Sequence, residues 1–156
     1  MTPRRAFGLP LRTLFCVLML TTALGKLLDN RGFATVIATY QFSIPEPLLL
    51  PLGLVVSLVE LAIGLAIVTG FQLRRAALLT VAVHVGYLSL AVITNLRGIP
   101  LVNCGCFGVF LARPMTWYTV LEDAILLALS LGFLWTVSAR PSLDPVRPSD
   151  EAAAPA

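Results

Sequence analysis

The chain has 156 residues, of which 58% are hydrophobic and 12% charged, and its mean hydropathy is +0.90. A soluble domain carries roughly 25% charged residues, so 11 basic and 8 acidic side chains are too few to cover a soluble fold of this size. The basic residues form no stripe, which argues against nucleic-acid binding despite the net charge of +3. The composition therefore indicates an integral membrane protein of one domain.

Four apolar stretches have the length of about 20 residues that a helix needs to cross a bilayer. We predict spans over about residues 11–28, 48–69, 76–96 and 115–137. Pro100 and Pro114 interrupt the chain between the last two spans. The runs are longer than the alternating strands of about ten residues in a β-barrel. The sequence therefore predicts an all-α, four-transmembrane-helix bundle over residues 1–138.

Two segments lie outside these spans. In GFATVIATYQFSIP, after the first span, apolar residues recur at helical spacing, namely Phe33, Val36, Ile37 and Tyr40. This spacing predicts a short amphipathic helix at the outer interface of the membrane. Residues 139–156 are rich in Pro, Ala, Ser and acidic residues, which predicts a disordered cytoplasmic tail.

The first span has an alternative interpretation as a signal peptide. Arg4 and Arg5 precede an apolar run that ends with small residues at Ala23 and Gly25. However, Lys26 can extend its ammonium group to the interface while Leu27 and Leu28 prolong the apolar run. These features favour a retained span, and we predict that this segment stays in the mature protein.

Basic residues near the spans predict the orientation of the protein. If both termini are cytoplasmic, seven basic residues lie inside: Arg4, Arg5, Arg12, Arg74, Arg75, Arg140 and Arg147. Four then lie outside: Lys26, Arg31, Arg97 and Arg113. We therefore predict cytoplasmic termini and an extracytoplasmic loop between the third and fourth spans.

Two of the three cysteines, Cys104 and Cys106, lie in that loop, whereas Cys16 lies near the cytoplasmic end of the first span. Gly105 between them has no Cβ and permits the tight backbone that a small disulfide ring requires. A disulfide outside relaxed geometry is more easily reduced, so this pair suits thiol–disulfide exchange. A structural staple and two inert thiols remain alternatives. We predict no metal site, because a lone CxC supplies only half of the ligands of a zinc ion.

Ionisable residues inside a membrane are costly and suggest function. Glu60 and His84 lie about 13–15 Å from the turn between the second and third spans, counted at the helical rise, so we expect them to form a charge-assisted hydrogen bond. Glu122 and Asp123 lie on the fourth span, and Lys26 is a candidate partner for either. These groups could form a proton relay for thiol oxidation or a polar pocket for a quinone-like acceptor. Alternatively, they are buried pairs that fix helix register.

Three blocks carry a family resemblance over about residues 10–137: GKLLDNRGFATVIATYQ, ELAIGLAIVTGF and RGIPLVNCGCFG. The most specific part is CGCFG, followed by a span that opens with Trp117 and contains Leu121-Glu122-Asp123. Together they resemble the methylamine-utilisation MauE family, within the wider DoxX-like group of four-helix membrane proteins. The matching motif comprises the cysteine pair and its neighbours Asn103, Gly105, Phe107 and Gly108. Lys26, Glu60 and Glu122 fall where similar proteins carry polar groups.

The resemblance implies a four-helix bundle in a bacterial cytoplasmic membrane that acts in methylamine dehydrogenase maturation beside a thioredoxin-like extracytoplasmic partner. Cys104 and Cys106 would pass oxidising or reducing equivalents to that partner, which would make the chain a membrane thiol–disulfide oxidoreductase component. One alternative is a non-catalytic DoxX-like subunit or scaffold of a redox complex, and another is a quinone- or small-solute-binding bundle. No nucleotide, haem or flavin motif occurs, and a quinone is the one cofactor we consider.

Overall fold

The computed structural model describes residues 3–138, and the predicted tail over residues 139–156 lies outside them. The described chain forms five helices and no strand: α1 Pro3–Leu28, α2 Asn30–Thr39, α3 Glu46–Thr69, α4 Leu73–Leu96 and α5 Trp117–Ser138. Four of them are long and apolar enough to cross a membrane, with Phe7–Leu28 as the candidate span of α1. The prediction of an all-α, four-span bundle is confirmed.

The ends of the helices follow from local capping groups. Asp29 begins α2, because its carboxylate accepts a hydrogen bond from the backbone N–H of Gly32 at 2.8 Å. Pro45 precedes α3, and Gly70 ends it in the left-handed conformation, with φ of +76°. The helices run past the predicted apolar stretches at several ends. For example, α4 starts at Leu73 rather than at residue 76, because long basic side chains at helix ends can reach the interface.

Arg12 ties α1 to the C-terminal end of α3. Its guanidinium donates to the backbone carbonyls of Ile67 and Val68, both at 2.9 Å. The last carbonyls of a helix lack partners within the helix and carry partial negative charge, so a cation is favourable there. This contact fixes the end of the bundle that lies beside the short α3–α4 turn.

The core consists of two apolar clusters. The first lies towards the α3–α4 turn and is built around Phe15, whose ring stacks on Phe133 at 5.7 Å and meets His84 edge-on at 5.4 Å. The second lies at the opposite end, where α2 packs against the loop that joins α4 to α5. Its buried members are Phe33, Val36, Tyr40, Ala91, Leu101, Cys104 and Met115. The second cluster buries Leu101, Cys104 and Met115 of the loop that carries the cysteines.

The predicted amphipathic helix exists as α2, but its apolar face has a different partner. Phe33 and Val36 are buried against the protein, whereas an interfacial helix would present this face to lipid. Buried residues of α2 and of the cysteine loop share one cluster, which explains the difference. Its position at the outer surface of the membrane stays a prediction.

Two glycines let the cysteine loop lie directly on α1. A Cβ on Gly25 would stand 2.5 Å from the carbonyl oxygen of Phe107. A Cβ on Gly108 would meet the carbonyl of Gly25 even more closely, and Gly108 has a φ of +68°, which favours glycine. Backbone therefore packs on backbone at this point, and neither residue leaves room for a side chain.

We predict that Gly25→Ala lowers the free energy of unfolding by about 1–3 kcal/mol, because the new methyl group must displace a backbone carbonyl. It should also increase maleimide labelling of the cysteine loop, because the loop loses its seat on α1. Gly86→Ala is the matched control: Gly86 is also helical, and a Cβ there meets no atom within 4 Å. Thermal melts in detergent measure both variants, and equal stability of the two would contradict the prediction.

Candidate functional site

The sulfur atoms of Cys104 and Cys106 lie 2.8 Å apart, and both thiols are free. Gly105 between them has a φ of +71°, and a Cβ on it would approach the Val36 side chain at 2.9 Å. Glycine is therefore required here both by the backbone conformation and by space. The predicted proximity of the two cysteines is present in the structure.

Asn103 braces the loop from within. Its side-chain oxygen accepts from the backbone N–H of Gly105 at 2.9 Å, and its amide nitrogen donates to the carbonyl of Gly108 at 3.0 Å. A side-chain amide that bridges two backbone groups replaces the missing main-chain partners of a turn. Every polar or glycine position of the NCGCFG motif thus has a structural role around the sulfur pair.

Cys104 is also held by residues outside the motif. Its backbone N–H donates to the carbonyl of Arg113 at 2.8 Å, and the hydroxyl of Tyr40 donates to its carbonyl at 2.6 Å. Cys104 is 7% exposed, whereas Cys106 is only partly buried. The loop therefore presents Cys106 more openly and keeps Cys104 fixed behind it.

The two thiols differ in acidity. The pKa of Cys104 is lowered to about 7, chiefly because the Cys106 thiol donates a hydrogen bond to its thiolate, with a smaller contribution from the charge of Arg113. The pKa of Cys106 is raised, because this thiol keeps its proton to donate it and is partly buried. The pair therefore shares one proton near neutral pH, with the thiolate on Cys104.

A buried ion pair lies beneath the loop. The Lys26 ammonium donates to both carboxylate oxygens of Glu60, at 2.6 and 2.8 Å, and to the hydroxyl of Tyr87 at 2.8 Å. The Tyr87 hydroxyl in turn donates to Glu60. Lys26 and Glu60 are each 1% exposed. The network joins α1, α3 and α4, and all three protons of the ammonium group have acceptors.

Aromatic rings complete the surroundings of Lys26. Its ammonium nitrogen lies 5.5 Å from the ring centroid of Phe33 and 5.0 Å from that of Tyr87. Such cation–π contacts offset part of the cost of removing a cation from water. Phe33 and Tyr87 thereby connect the ion pair to the walls that also surround the cysteines.

The expected pairing of Glu60 with His84 is not formed. His84 instead hydrogen bonds through Nδ1 to the carbonyl of Thr80, one turn earlier in α4, at 2.7 Å. Glu60 is occupied by Lys26 and Tyr87, so the expectation that Lys26 pairs with an acid of the fourth span is also wrong. The depth of these groups in the membrane stays a prediction, and depth alone does not determine which helices are neighbours.

The two acids of α5 lie in different surroundings. Glu122 is exposed and accepts both of its hydrogen bonds from Arg113, at 2.7 and 2.8 Å. Asp123 is 7% exposed and forms no hydrogen bond or ion pair with any residue between 3 and 138. Adjacent helical residues point about 100° apart, which accounts for the contrast. Asp123 also lines the cavities beside the cysteine pair, so its carboxyl group is a candidate for chemistry.

Two cavities border the cysteine pair. The first has a volume of about 200 Å³ and lies between α2, α3 and α4. The second has a volume of about 320 Å³ and lies between α1, α4 and α5. Four residues contribute to the lining of both cavities: Tyr87, Cys104, Cys106 and Asp123. The sulfur pair is therefore accessible from two sides of the bundle.

Three residues that build this site are absent from the predicted site. The sequence predicts Tyr40 only as part of an apolar helix face, whereas its hydroxyl donates to the carbonyl of Cys104. Tyr87 is not among the predicted site residues, although a polar group one turn after His84 in a predicted span indicates a functional position. Arg97 was counted only for orientation, yet it donates to the carbonyls of Tyr40 and Gln41, both at 2.9 Å, and so fixes the end of α2.

We predict that Lys26→Met lowers the free energy of unfolding by about 3–5 kcal/mol, because it leaves the Glu60 carboxylate buried without a cation. The double variant Lys26→Met/Glu60→Leu should be more stable than Lys26→Met alone, since no uncompensated charge remains. Arg113→Gln, which breaks the exposed pair, should cost no more than about 1 kcal/mol. Denaturant titration in mixed micelles measures all three, and similar losses for Lys26→Met and Arg113→Gln would refute this account.

Comparison with known proteins identifies the family. A family model described as methylamine utilisation protein MauE matches residues 4–136. A methylamine utilization protein MauE from Paracoccus denitrificans is 30% identical over 121 residues, which are 78% of this chain and 64% of that relative. No solved structure gives a significant match. The family match covers the four candidate spans almost completely, together with the cysteine loop and the buried ion pair, and the chain thus belongs to the MauE family of multi-pass membrane proteins.

Proposed function

We propose that this chain is a membrane thiol–disulfide oxidoreductase component that passes oxidising equivalents to an extracytoplasmic protein through Cys104 and Cys106. The observation that carries the proposal is the pair of sulfurs 2.8 Å apart on a braced loop. One thiol has a pKa lowered to about 7. Low-pKa cysteines next to a second thiol are the groups that exchange disulfides rapidly.

The exposure and the acidity of the two cysteines assign them different roles. In the disulfide form, a thiolate of the partner attacks the more exposed sulfur of Cys106, and the bond between the two cysteines breaks. Cys104 departs as a thiolate, which its lowered pKa favours, because a more acidic thiol is the better leaving group. The product of this step is a mixed disulfide between the partner and Cys106.

A second thiolate of the partner completes the transfer. It attacks the partner sulfur of the mixed disulfide and releases Cys106, which takes up a proton. The partner dithiol has then become a disulfide, and the cysteine pair has gained two electrons and one proton, with the thiolate on Cys104. This order of attack uses the more exposed of the two cysteines and leaves Cys104 in its hydrogen-bonded position.

The family and the proposed orientation support our choice of partner. The name of the Paracoccus relative refers to methylamine utilization, and we extend that process to this chain as maturation of methylamine dehydrogenase together with a thioredoxin-like protein. We place the chain in the bacterial cytoplasmic membrane with both termini in the cytoplasm, which the excess of basic residues on that side supports. The cysteine loop then faces the compartment in which disulfides persist.

Mixed-disulfide trapping in the native host tests the proposal. Cys104→Ser should accumulate a mixed disulfide between Cys106 and the disulfide form of the partner, because the Cys104 thiol that would displace the partner from Cys106 is absent. Cys106→Ser should give about tenfold less complex, because the remaining sulfur is shielded. Non-reducing gels and mass spectrometry identify the complexes, and Cys16→Ser serves as the control that leaves the CxC intact.

Two results would contradict the proposal. One is full maturation of the partner proteins in a strain that carries Cys104→Ser and Cys106→Ser together. The other is the absence of any trapped complex combined with a lower melting temperature of the cysteine variants. The second result would favour a structural disulfide in a scaffold.

The pH dependence of alkylation tests the difference in acidity. The rate of iodoacetamide labelling of Cys104 should rise through a midpoint near pH 7 and fall below it, because only the thiolate reacts and its pKa is lowered to about 7. In Cys106→Ala the hydrogen bond to the thiolate is lost, so the midpoint should move upwards towards that of an ordinary cysteine. Mass spectrometry of labelled peptides gives both midpoints, and an unchanged midpoint in Cys106→Ala would be contrary to our assignment.

A further inference from the structure

The proposed transfer leaves Cys104 and Cys106 reduced, and the pair must lose two electrons and one proton before it acts again. Cys16 is the third cysteine of the chain, and it packs against the core cluster near the α3–α4 turn, away from the other two. The chain therefore cannot form a second internal disulfide that would reoxidise the pair. An external two-electron acceptor has to reach the sulfurs.

The cavity between α2, α3 and α4 offers such an acceptor a place beside the sulfurs. Both cysteines line it, and its walls include the rings of Phe33, Tyr40 and Tyr87. Its volume is about 200 Å³, and an apolar cavity of about 150 Å³ holds a benzene ring. One planar ring therefore fits against the cysteine pair, with aromatic faces available for stacking.

The mouth of this cavity indicates how the ring would enter. Phe42, Ile44 and Leu52 form part of the lining. Phe42 is 43% exposed and Leu52 is 37% exposed, and Leu52 lies on the candidate span α3. An apolar mouth on a membrane-spanning helix favours entry from lipid over entry from water. The occupant is accordingly a lipid-soluble ring whose tail can remain in the bilayer.

Asp123 is a polar residue in the lining of this cavity whose side chain forms no hydrogen bond within residues 3–138. Lys26 also lines the cavity, but its three protons are taken by Glu60 and Tyr87. Asp123 is buried and without a hydrogen bond among residues 3–138. Its carboxyl group can therefore donate to a carbonyl oxygen on a bound ring and transfer a proton to it.

We infer that this cavity binds a membrane quinone, which reoxidises the Cys104–Cys106 pair. The inference rests on the proposed thiol–disulfide function. The Cys104 thiolate and the Cys106 thiol give two electrons to the quinone as the S–S bond forms. The quinone receives one proton from Cys106 and one from the protonated carboxyl group of Asp123, which takes up a proton from water before the next turnover. The sum is a thiolate, a thiol, a carboxylic acid and a quinone converted into a disulfide, a carboxylate and a quinol.

Anaerobic single-turnover oxidation tests the inference. The full chain is reduced in lipid nanodiscs and mixed with a short-chain ubiquinone. Quinol formation is followed by ultraviolet absorbance, and loss of thiols by maleimide mass tagging. We expect one quinol for each disulfide formed, and no quinol from Cys104→Ser/Cys106→Ser.

Tryptophan substitutions locate the site. Val56 lines the cavity, and Val56→Trp should slow quinone reduction about tenfold or more by occupying the ring site. Leu52→Trp at the exposed mouth should slow quinone reduction as well. This second variant tests the site if Val56→Trp fails to fold. The matched control is Val55→Trp, since Val55 is 56% exposed on the same helix and does not line the cavity.

Exchange with glutathione disulfide separates this inference from the proposed function. Chains that exchange with glutathione disulfide but do not reduce the quinone would overturn the quinone site and leave the proposed function standing. Equal quinone rates in Leu52→Trp, Val56→Trp and Val55→Trp would also overturn the site. Quinone reduction by a chain that does not exchange disulfides would support the cavity and overturn the transfer to a partner.

The role of Asp123 is tested with Asp123→Asn, and Glu122→Gln at the adjacent position is the control. Asp123→Asn should slow quinone reduction, because the amide cannot deliver the second proton. Lowering the pH should not restore the rate. Glu122→Gln should leave the rate unchanged, since Glu122 is exposed and bound to Arg113. Equal rates in the two variants would remove Asp123 from the reaction.

Discussion

The buried pair of Lys26 and Glu60 is the interaction on which the remaining architecture depends. Removing a cation and an anion from water costs several kcal/mol for each ion, and this cost is recovered only when geometry and hydrogen bonding are nearly complete. Here α1 supplies the cation, α3 the anion and α4 the hydroxyl of Tyr87. A shift of any of these helices by one residue would break the network. The pair therefore fixes the register of three spans at one depth.

The cysteine loop has to be held in place without a β-sheet, since residues 3–138 contain no strand. The fold does so by combining α2 with the loop in one apolar cluster and by seating the loop backbone on Gly25. Asn103 and Tyr40 then satisfy the backbone groups around the sulfurs. Rigidity here comes from contacts that extend across the half of the bundle that contains α2. The short NCGCFG motif is sufficient only because this surrounding structure exists.

Much of this arrangement could be predicted from the sequence, because bilayer thickness converts composition directly into spans. The four helices, α2 and the proximity of Cys104 and Cys106 follow from hydropathy, periodicity and spacing. The partners of Glu60 could not be predicted, because hydropathy gives the depth of a residue but not which helices are neighbours. The different burial of Asp123 and Glu122 could not be predicted for a similar reason. The two residues are adjacent and carry the same charge, so only the rotation of α5 about its axis determines which one is buried.

The hydrogen bonds and ion pairs of the basic residues affect how their distribution is used to predict the orientation of this chain. Lys26, Arg97 and Arg113, three of the four assigned to the outer side, are held by an ion pair, by helix-end carbonyls or by Glu122. Such anchored charges serve the fold, so their assignment to the outer side does not weaken the predicted positive-inside pattern. Arg12 is likewise committed to the end of α3. A charge-swap experiment on topology is therefore cleanest at Arg74, in the short α3–α4 turn region, where inversion and misfolding can be told apart.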